Sequence, residues 1–408
     1  MQTKTILVTT YAINPYKGSE DGMGWNFILQ IARHHKVYAI TRENNKAKID
    51  KYIQENPSEL YANITFLYFD LPYWMRFWKK GGRGALLYYW MWQKGIVNFI
   101  KKQTIEFDIV HNLNFHNDWT PSYLWKLNKP FVWGPIGHHP TIPSKYMKYY
   151  SYKENIKNKL TWWTKIYFWK FSISLNKTLR NATHIICMNS SVVQVLPGLK
   201  NKYTIMPSVA SEDFGWNNTI HENKFKLISA GRLVPLKGFD LTIRSFSHFL
   251  QNISENEKSN IILRIIGSGP ELNNLKTLCD KLNINEYVEF IPWIERNDLI
   301  QEYQSSSIFI FPSHEGAGMV ISEALSFGLP IICLDNFGPG EFINETCGFK
   351  IKSNSYEDTI MQLAESINNL YTNKQLVNSM RQSARDNYLL NFKWDNRGDK
   401  LRDIYEKL

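Results

Sequence analysis

The sequence predicts two doubly wound α/β domains, and three observations carry that prediction. Short β-type apolar runs alternate with stretches of helical periodicity along the 408 residues. The alternation breaks in the stretch Met206-Pro207-Ser208-Val209-Ala210-Ser211-Glu212-Asp213-Phe214 and then begins afresh. Several apolar runs end in glycine-bearing turns that also hold charged side chains, as expected where such folds bind ligands.

The elements follow in order. A strand at 6–10 leads into a turn holding Gly18, Gly22 and Gly24, after which Trp25, Phe27, Ile28, Ile31 and Ala32 recur at helical spacing. With a strand at 36–41 this makes a βαβ unit with a glycine-rich first turn. Strands at 64–68, 107–111, 131–133 and 184–188 complete a Rossmann-like domain over 1–206. A second series has strands at 226–229, 261–266, 288–290, 308–311 and 331–334. Helices at 239–250, 271–282, 297–305 and about 318–328 separate them, giving a second Rossmann-like domain over 207–387. From 388 to 408, Trp394, Leu401, Ile404 and Tyr405 mark an amphipathic helix. Two such domains facing each other form a cleft, a usual place for a ligand.

Composition narrows the function. Hydrophobic content of 43% is that of a folded globular chain. No apolar run reaches the ~18 residues of a membrane span, and the N-terminal apolar stretch is too short for a signal peptide. Cys187, Cys279, Cys333 and Cys347 show no metal or disulfide spacing, which fits reduced thiols in the cytoplasm. The net charge of +11 calls for an anionic partner. Between 72 and 102, Arg76, Lys79, Lys80, Arg83, Lys94, Lys101 and Lys102 are interleaved with Tyr73, Trp74, Phe77, Trp78, Tyr88, Tyr89, Trp90 and Trp92, with no acidic residue. Between 145 and 180, Trp162, Trp163, Tyr167, Phe168, Trp169 and Phe171 stand among many lysines. Basic, aromatic helices of this kind suit an anionic membrane surface. No nucleic-acid recognition signature accompanies them.

The chemistry concentrates in a few turns. Glu315 falls in the turn after the 308–311 strand, and Glu323 on the first turns of the next helix. Gly316 and Gly318 let backbone N–H groups approach a ligand, and a helix N-terminus favours an anion. Arg232 and Lys237 sit in the turn after the 226–229 strand, where a guanidinium fork and an ammonium suit a diphosphate. No Asp-x-Asp pair offers to hold a divalent cation, so no metal or other cofactor is expected.

The segment from Ile308 to Leu334 resembles the glutamate-pair signature of retaining glycosyltransferases of family 4, which have the GT-B fold, and Leu227–Asp240 resembles their Gly-Arg…Lys-Gly motif. The resemblance implies that Glu315 contacts the donor sugar and Glu323 the nucleotide ribose. It implies that Gly316, Ala317, Gly318 and Met319 reach phosphate and sugar through their amides, and that Arg232 and Lys237, beside Gly231, bind the diphosphate. Gly267 and Ile294 would lie near the base. Gly18-Ser19-Glu20-Asp21-Gly22-Met23-Gly24-Trp25 resembles the opening of a subset of the family, which implies a place for Gly18 near the donor phosphate and the acceptor. Asp108-Ile109-Val110-His111 resembles the strand that precedes the acceptor histidine, and either His111 or His116 fits that role. His138 and His139 stand where the subset has glycines, and their role stays open. The last helix would cross back to the first domain.

The function implied is a metal-independent, retaining transfer of a sugar from a UDP- or GDP-sugar to a hydroxyl of a glycan or lipid-linked saccharide. The enzyme would work in the cytoplasm, peripheral to the inner face of the membrane. A composition rich in Asn, Lys and Ile suggests an AT-rich bacterial genome, and with it surface polysaccharide synthesis. Two alternatives remain: a nucleotide-sugar epimerase of GT-B shape, and a non-catalytic basic binding protein of the same fold.

Overall fold

The computed structural model describes residues 3–81, 84–113, 117–196, 198–199, 202–216 and 224–408. His116 lies outside them. The chain divides into two compact units. The first comprises Met1–His138, Thr161–Ser208 and Trp394–Leu408, and the second His139–Leu160 and Val209–Lys393.

The first unit is built on a seven-stranded sheet. Its strands are β1 (Thr5–Thr9), β2 (Lys36–Thr41), β3 (Ile64–Tyr68), β4 (Ile109–Asn112), β5 (Phe131–Ile136), β6 (His184–Cys187) and β7 (Tyr203–Ile205). They run parallel in the order β3-β2-β1-β4-β5-β6-β7. Both faces of β4 and β5 are buried, so Phe131, Val132 and Trp133 follow one another without a polar break, while β4 carries His111 and Asn112 inside. The order reverses direction between β1 and β4, the switch point of a doubly wound sheet. The Trp394–Glu406 helix packs on the Ser19–Ala32 helix, with Phe27 and Trp394 edge to face at 5.3 Å. Lys4 Nζ donates to the Tyr405 carbonyl at 2.6 Å.

The second unit carries a six-stranded sheet. Its strands are β8 (Phe225–Ala230), β9 (Ile261–Ile266), β10 (Val288–Ile291), β11 (Ile308–Phe311), β12 (Ile331–Leu334) and β13 (Gly348–Ile351). They are parallel in the order β10-β9-β8-β11-β12-β13, with the switch point between β8 and β11. The Phe239–Gln251 helix turns Phe246, Phe249 and Leu250 onto a core shared with Leu363 and Ile367 of the Tyr356–Thr372 helix. Each such side chain, fully buried, contributes about 1.5–3 kcal/mol. Ile142, Tyr146 and Met147 of the 139–160 segment are buried in the same core.

The fold class agrees with the sequence: two parallel, doubly wound α/β units. The structure adds elements that the sequence pattern does not mark, among them the edge strands β7 and β13 and the helices Lys46–Glu55, Tyr356–Thr372 and Lys374–Asn391. The final helical pattern is two helices, interrupted at Phe392 and Lys393, where Ser211 N–H donates to the Phe392 carbonyl at 3.0 Å. Among the described residues, no helix is long and apolar enough to cross a membrane.

Candidate active site

The turns that follow β8 and β11 meet at the switch point of the second sheet. β8 ends at Ala230, and the chain passes Gly231 and Arg232 before a 3-10 turn, Pro235–Lys237, and the Phe239–Gln251 helix. Gly238 has φ +70°, and a Cβ there would lie 2.2 Å from the Pro312 carbonyl oxygen. Only a residue without a side chain lets the two turns come so close. His314 N–H then donates to the Leu236 carbonyl at 2.9 Å.

This approach sets Lys237 Nζ 2.6 Å from Glu315 Oε2 and 4.9 Å from the centre of the Phe311 ring. Both side chains of the pair keep some contact with solvent, 13% and 19%. The turn after β12 closes on the same place. Asn336 Nδ2 donates to the Ser313 carbonyl at 2.7 Å, and its Oδ1 accepts from Gly338 N–H at 3.1 Å. A Cβ on Gly338 would stand 2.2 Å from the Glu315 carbonyl oxygen. Three consecutive strand ends, β8, β11 and β12, therefore converge on Lys237 and Glu315.

The other residues singled out in the sequence fall around this centre to different degrees. Arg232 is exposed in the β8 turn and has no ion pair with another described residue. Gly231 and Gly267 join the β8 and β9 turns, with Gly231 N–H donating to the Ile266 carbonyl at 2.9 Å. Gly316, Ala317 and Gly318 form the turn after Glu315, and Met319 opens the Met319–Ser326 helix. Glu323, half-buried on that helix, accepts a hydrogen bond from the Tyr303 hydroxyl at 3.3 Å. Burial pushes its carboxyl above the usual range, against the pull of Arg296. Ile294 lies in the loop after β10, half-buried. Asn336, Tyr303 and Ser313 were not singled out, because nothing in their local sequence separates them from ordinary turn and core residues.

In the first unit, Gly18 caps the Ser19–Ala32 helix at an exposed position, and a Cβ there would meet nothing within 4 Å. Gly22 is the demanding glycine, since a Cβ would lie 2.1 Å from the Lys17 carbonyl oxygen. His111 is fully buried, with both ring nitrogens engaged. Nε2 donates to the Gly134 carbonyl at 2.7 Å, and Nδ1 accepts from the Tyr405 hydroxyl at 2.6 Å. Neither nitrogen is left for an acceptor in this arrangement. His138, the histidine of open role, pairs through Nδ1 with Asp118 Oδ2 at 2.8 Å, and both are buried. Among the described residues, no group of three or more His, Cys, Asp or Glu side chains could hold a metal ion.

Two buried imidazoles make stability depend on pH. Burial pushes His111 down to about 4, and His314 likewise down to about 4. In the unfolded chain both would take up protons near pH ~6.5. Between those values the unfolded state binds more protons, so the free energy of unfolding falls as pH drops from ~6.5 towards ~4. Urea unfolding midpoints should be flat above pH ~7 and decline below it. His111→Gln should make the decline shallower, and an unchanged slope would remove His111 from this account.

The fold and the site define a class: doubly wound α/β proteins with a cationic, glycine-lined turn at the switch point of the second sheet. Comparison with known proteins narrows it. Residues 211–387 match the family model of glycosyl transferases group 1. An uncharacterized glycosyltransferase of Haemophilus influenzae is 35% identical over 169 residues, 40% of this chain and 45% of that protein. The UDP-Gal:alpha-D-GlcNAc-diphosphoundecaprenol alpha-1,3-galactosyltransferase of Escherichia coli is 28% identical over 189 residues, 46% of each chain. The matched stretch thus spans under half the length of these relatives. Similarity of fold extends over the whole chain. A glycosyltransferase from Rickettsia africae superposes with TM-score 0.65 at 18% identity, covering 100% of this chain and 99% of that one. HepE of Anabaena, solved with UDP and glucose, superposes with TM-score 0.65 at 14% identity, covering 99% and 100%.

Proposed function

We propose that this chain is a GT-B glycosyltransferase that moves a sugar from a nucleotide diphosphate donor to a hydroxyl of a glycan or lipid-linked saccharide. The observation that carries the reading is the Lys237–Glu315 pair at the switch point of the second sheet, inside the stretch that matches the family model. Such a place, at the carboxyl ends of parallel strands, is where open α/β sheets bind ligands. Lys237 and Arg232 would neutralise the diphosphate and stabilise it as it leaves. Glu315 would accept hydrogen bonds from sugar hydroxyls, and Glu323 from the ribose. Retention of configuration, independence from metal and a UDP- or GDP-linked donor belong to the same proposal. The UDP-galactose donor and undecaprenol-linked acceptor in the name of the Escherichia coli relative support the donor and acceptor classes.

A thermal-shift panel with UDP, GDP, ADP, TDP and CMP tests it. Ligand at ~100 times its dissociation constant adds about 2.7 kcal/mol to stability. One nucleotide should raise the melting temperature of the wild type by several degrees and that of Arg232→Ala by much less. No shift with any nucleotide would sink the donor assignment. Conversion of the donor into a second nucleotide-sugar in the absence of any acceptor would favour the epimerase.

The proposal includes an anionic membrane surface as partner, at the inner face of the cell membrane. Along the Tyr152–Phe171 helix, Tyr152, Ile156, Leu160, Trp163, Tyr167 and Phe171 are all exposed, at four- and three-residue spacings that put them on one stripe. Lys153, Lys157, Lys159 and Lys170 flank it, also exposed. Tyr73, Trp74 and Phe77 of the other basic segment are exposed too, whereas its Tyr88, Tyr89 and Trp92 are core residues. Co-sedimentation at physiological salt should favour anionic over zwitterionic vesicles, and Trp163→Ser with Phe171→Ser should weaken it severalfold. Equal partition between the two vesicle types would refute this surface.

A further inference from the structure

The 139–160 segment leaves the first unit after β5 and packs within the second. There its tyrosines touch the turn that holds Glu315 and reach the helix that follows the Lys237 turn. The Tyr146 ring meets the ring of His314, the residue before Glu315, edge to face at 5.0 Å and 77°. The Tyr146 hydroxyl shares a hydrogen bond with Thr359 Oγ1 at 2.6 Å and donates to the Ser355 carbonyl at 3.3 Å, which fixes the ring from its far end. Tyr149 stacks on Tyr356 at 3.8 Å, and Tyr356 donates to Asp240 Oδ2 at 2.7 Å. Tyr150 donates to Asp240 Oδ1 at 3.4 Å. Asp240 lies on the first turn of the Phe239–Gln251 helix, three residues beyond Lys237.

We infer that Tyr146 is a positioning residue for Glu315, and that Tyr149 and Tyr150, through Asp240, are positioning residues for Lys237. The inference rests on the donor-binding reading of these two turns. The physical case is one of leverage. The turns are irregular backbone, tied to each other by His314 N–H donating to the Leu236 carbonyl. Side-chain geometry at an ion pair of 2.6 Å depends on sub-ångström placement of both turns. A buried aromatic edge locks the His314 ring, and with it the backbone that presents Glu315. The tyrosine hydroxyls on Asp240 lock the start of the helix that follows Lys237. The segment thereby clamps the two halves of the site from outside, without touching the ligand.

The test is the affinity for UDP and GDP, measured by calorimetry at 25 °C on variants that unfold cooperatively well above that temperature. Tyr146→Leu, which removes the ring edge, should weaken binding at least tenfold. Tyr146→Phe, which keeps the ring, should restore it to within about threefold of wild type. A merely structural tyrosine would lower the melting temperature in both and leave the dissociation constant alone, and that result overturns the inference. Should Tyr146→Leu fail to fold, the double variant Tyr149→Ala, Tyr150→Phe asks the same question at the Lys237 side, where the side chains are less buried. An unchanged dissociation constant there likewise overturns it. If the wild type binds neither UDP nor GDP, the donor-binding reading falls, and the inference with it.

Discussion

Lys237→Met should lower sugar transfer by at least about 10²-fold while leaving a folded protein. The ammonium sits between Glu315 at 2.6 Å and the face of Phe311, in a turn fixed by Gly238. If the diphosphate leaves from this turn, Lys237 is a preorganised charge aimed at developing negative charge, and removing one such donor typically costs 10²–10³ in rate. Stability should change far less. The pair is partly open to water, so losing one partner costs less than the 3–5 kcal/mol of a fully buried pair. Lys237→Arg is no safe substitute, because a planar fork replaces a compact charge in a space shaped for the latter. Glu315→Gln should fall with Lys237→Met, and the double variant should lose little more than either, since both act through one arrangement. The measurement is nucleoside diphosphate release from UDP- and GDP-sugars supplied with a total lipid extract. A Lys237→Met enzyme within threefold of wild type would remove the ion pair from the chemistry.

The second large effect is on stability. Gly267→Ala should cost about 3 kcal/mol or more, and Gly18→Ala close to nothing. Gly267 holds φ +141°, where an L side chain is strained whatever the space, and a Cβ would stand 1.9 Å from the Gly231 carbonyl oxygen. Backbone cannot rotate away as a side chain can, so the β8 and β9 turns would have to separate. Gly18, by contrast, has a negative φ and open space around it. Urea unfolding with an unchanged m-value reads the difference directly. Equal midpoints for Gly267→Ala and the wild type would show that the turns yield, and that the close approach of β8 and β9 is not obligatory.

The sequence disclosed the parts that depend on local pattern. Runs such as Ile261–Ile266, Ile308–Phe311 and Ile331–Leu334 are buried on one or both faces, so their apolar content marks them. β7 escaped because it is three residues long at the sheet edge, half-buried to exposed, with Thr204 in its middle. β13 escaped because Phe349 and Lys350 are half-buried and blur the pattern. At the site, residue types were legible and partnerships were not. Lys237 and Glu315 are 78 positions apart, and their pairing follows from strand order. His111 stood at the end of a buried strand and so was a candidate for binding an acceptor. Its engagement by Tyr405, 294 positions away, carries no local signal. Asn336 and Tyr146 act through the same kind of long-range contact.

One feature of the chain path bears on how far each unit can stand alone. The second unit is complete at Lys393, whereas the first also takes in Trp394–Leu408. Those residues bring Tyr405, which completes the hydrogen bonding of His111, and Trp394, which packs on Phe27. The core of the first unit is thus closed by chain that follows the whole of the second in sequence. A chain cut after Lys393 should keep a protease-resistant second unit and lose the protection of the first.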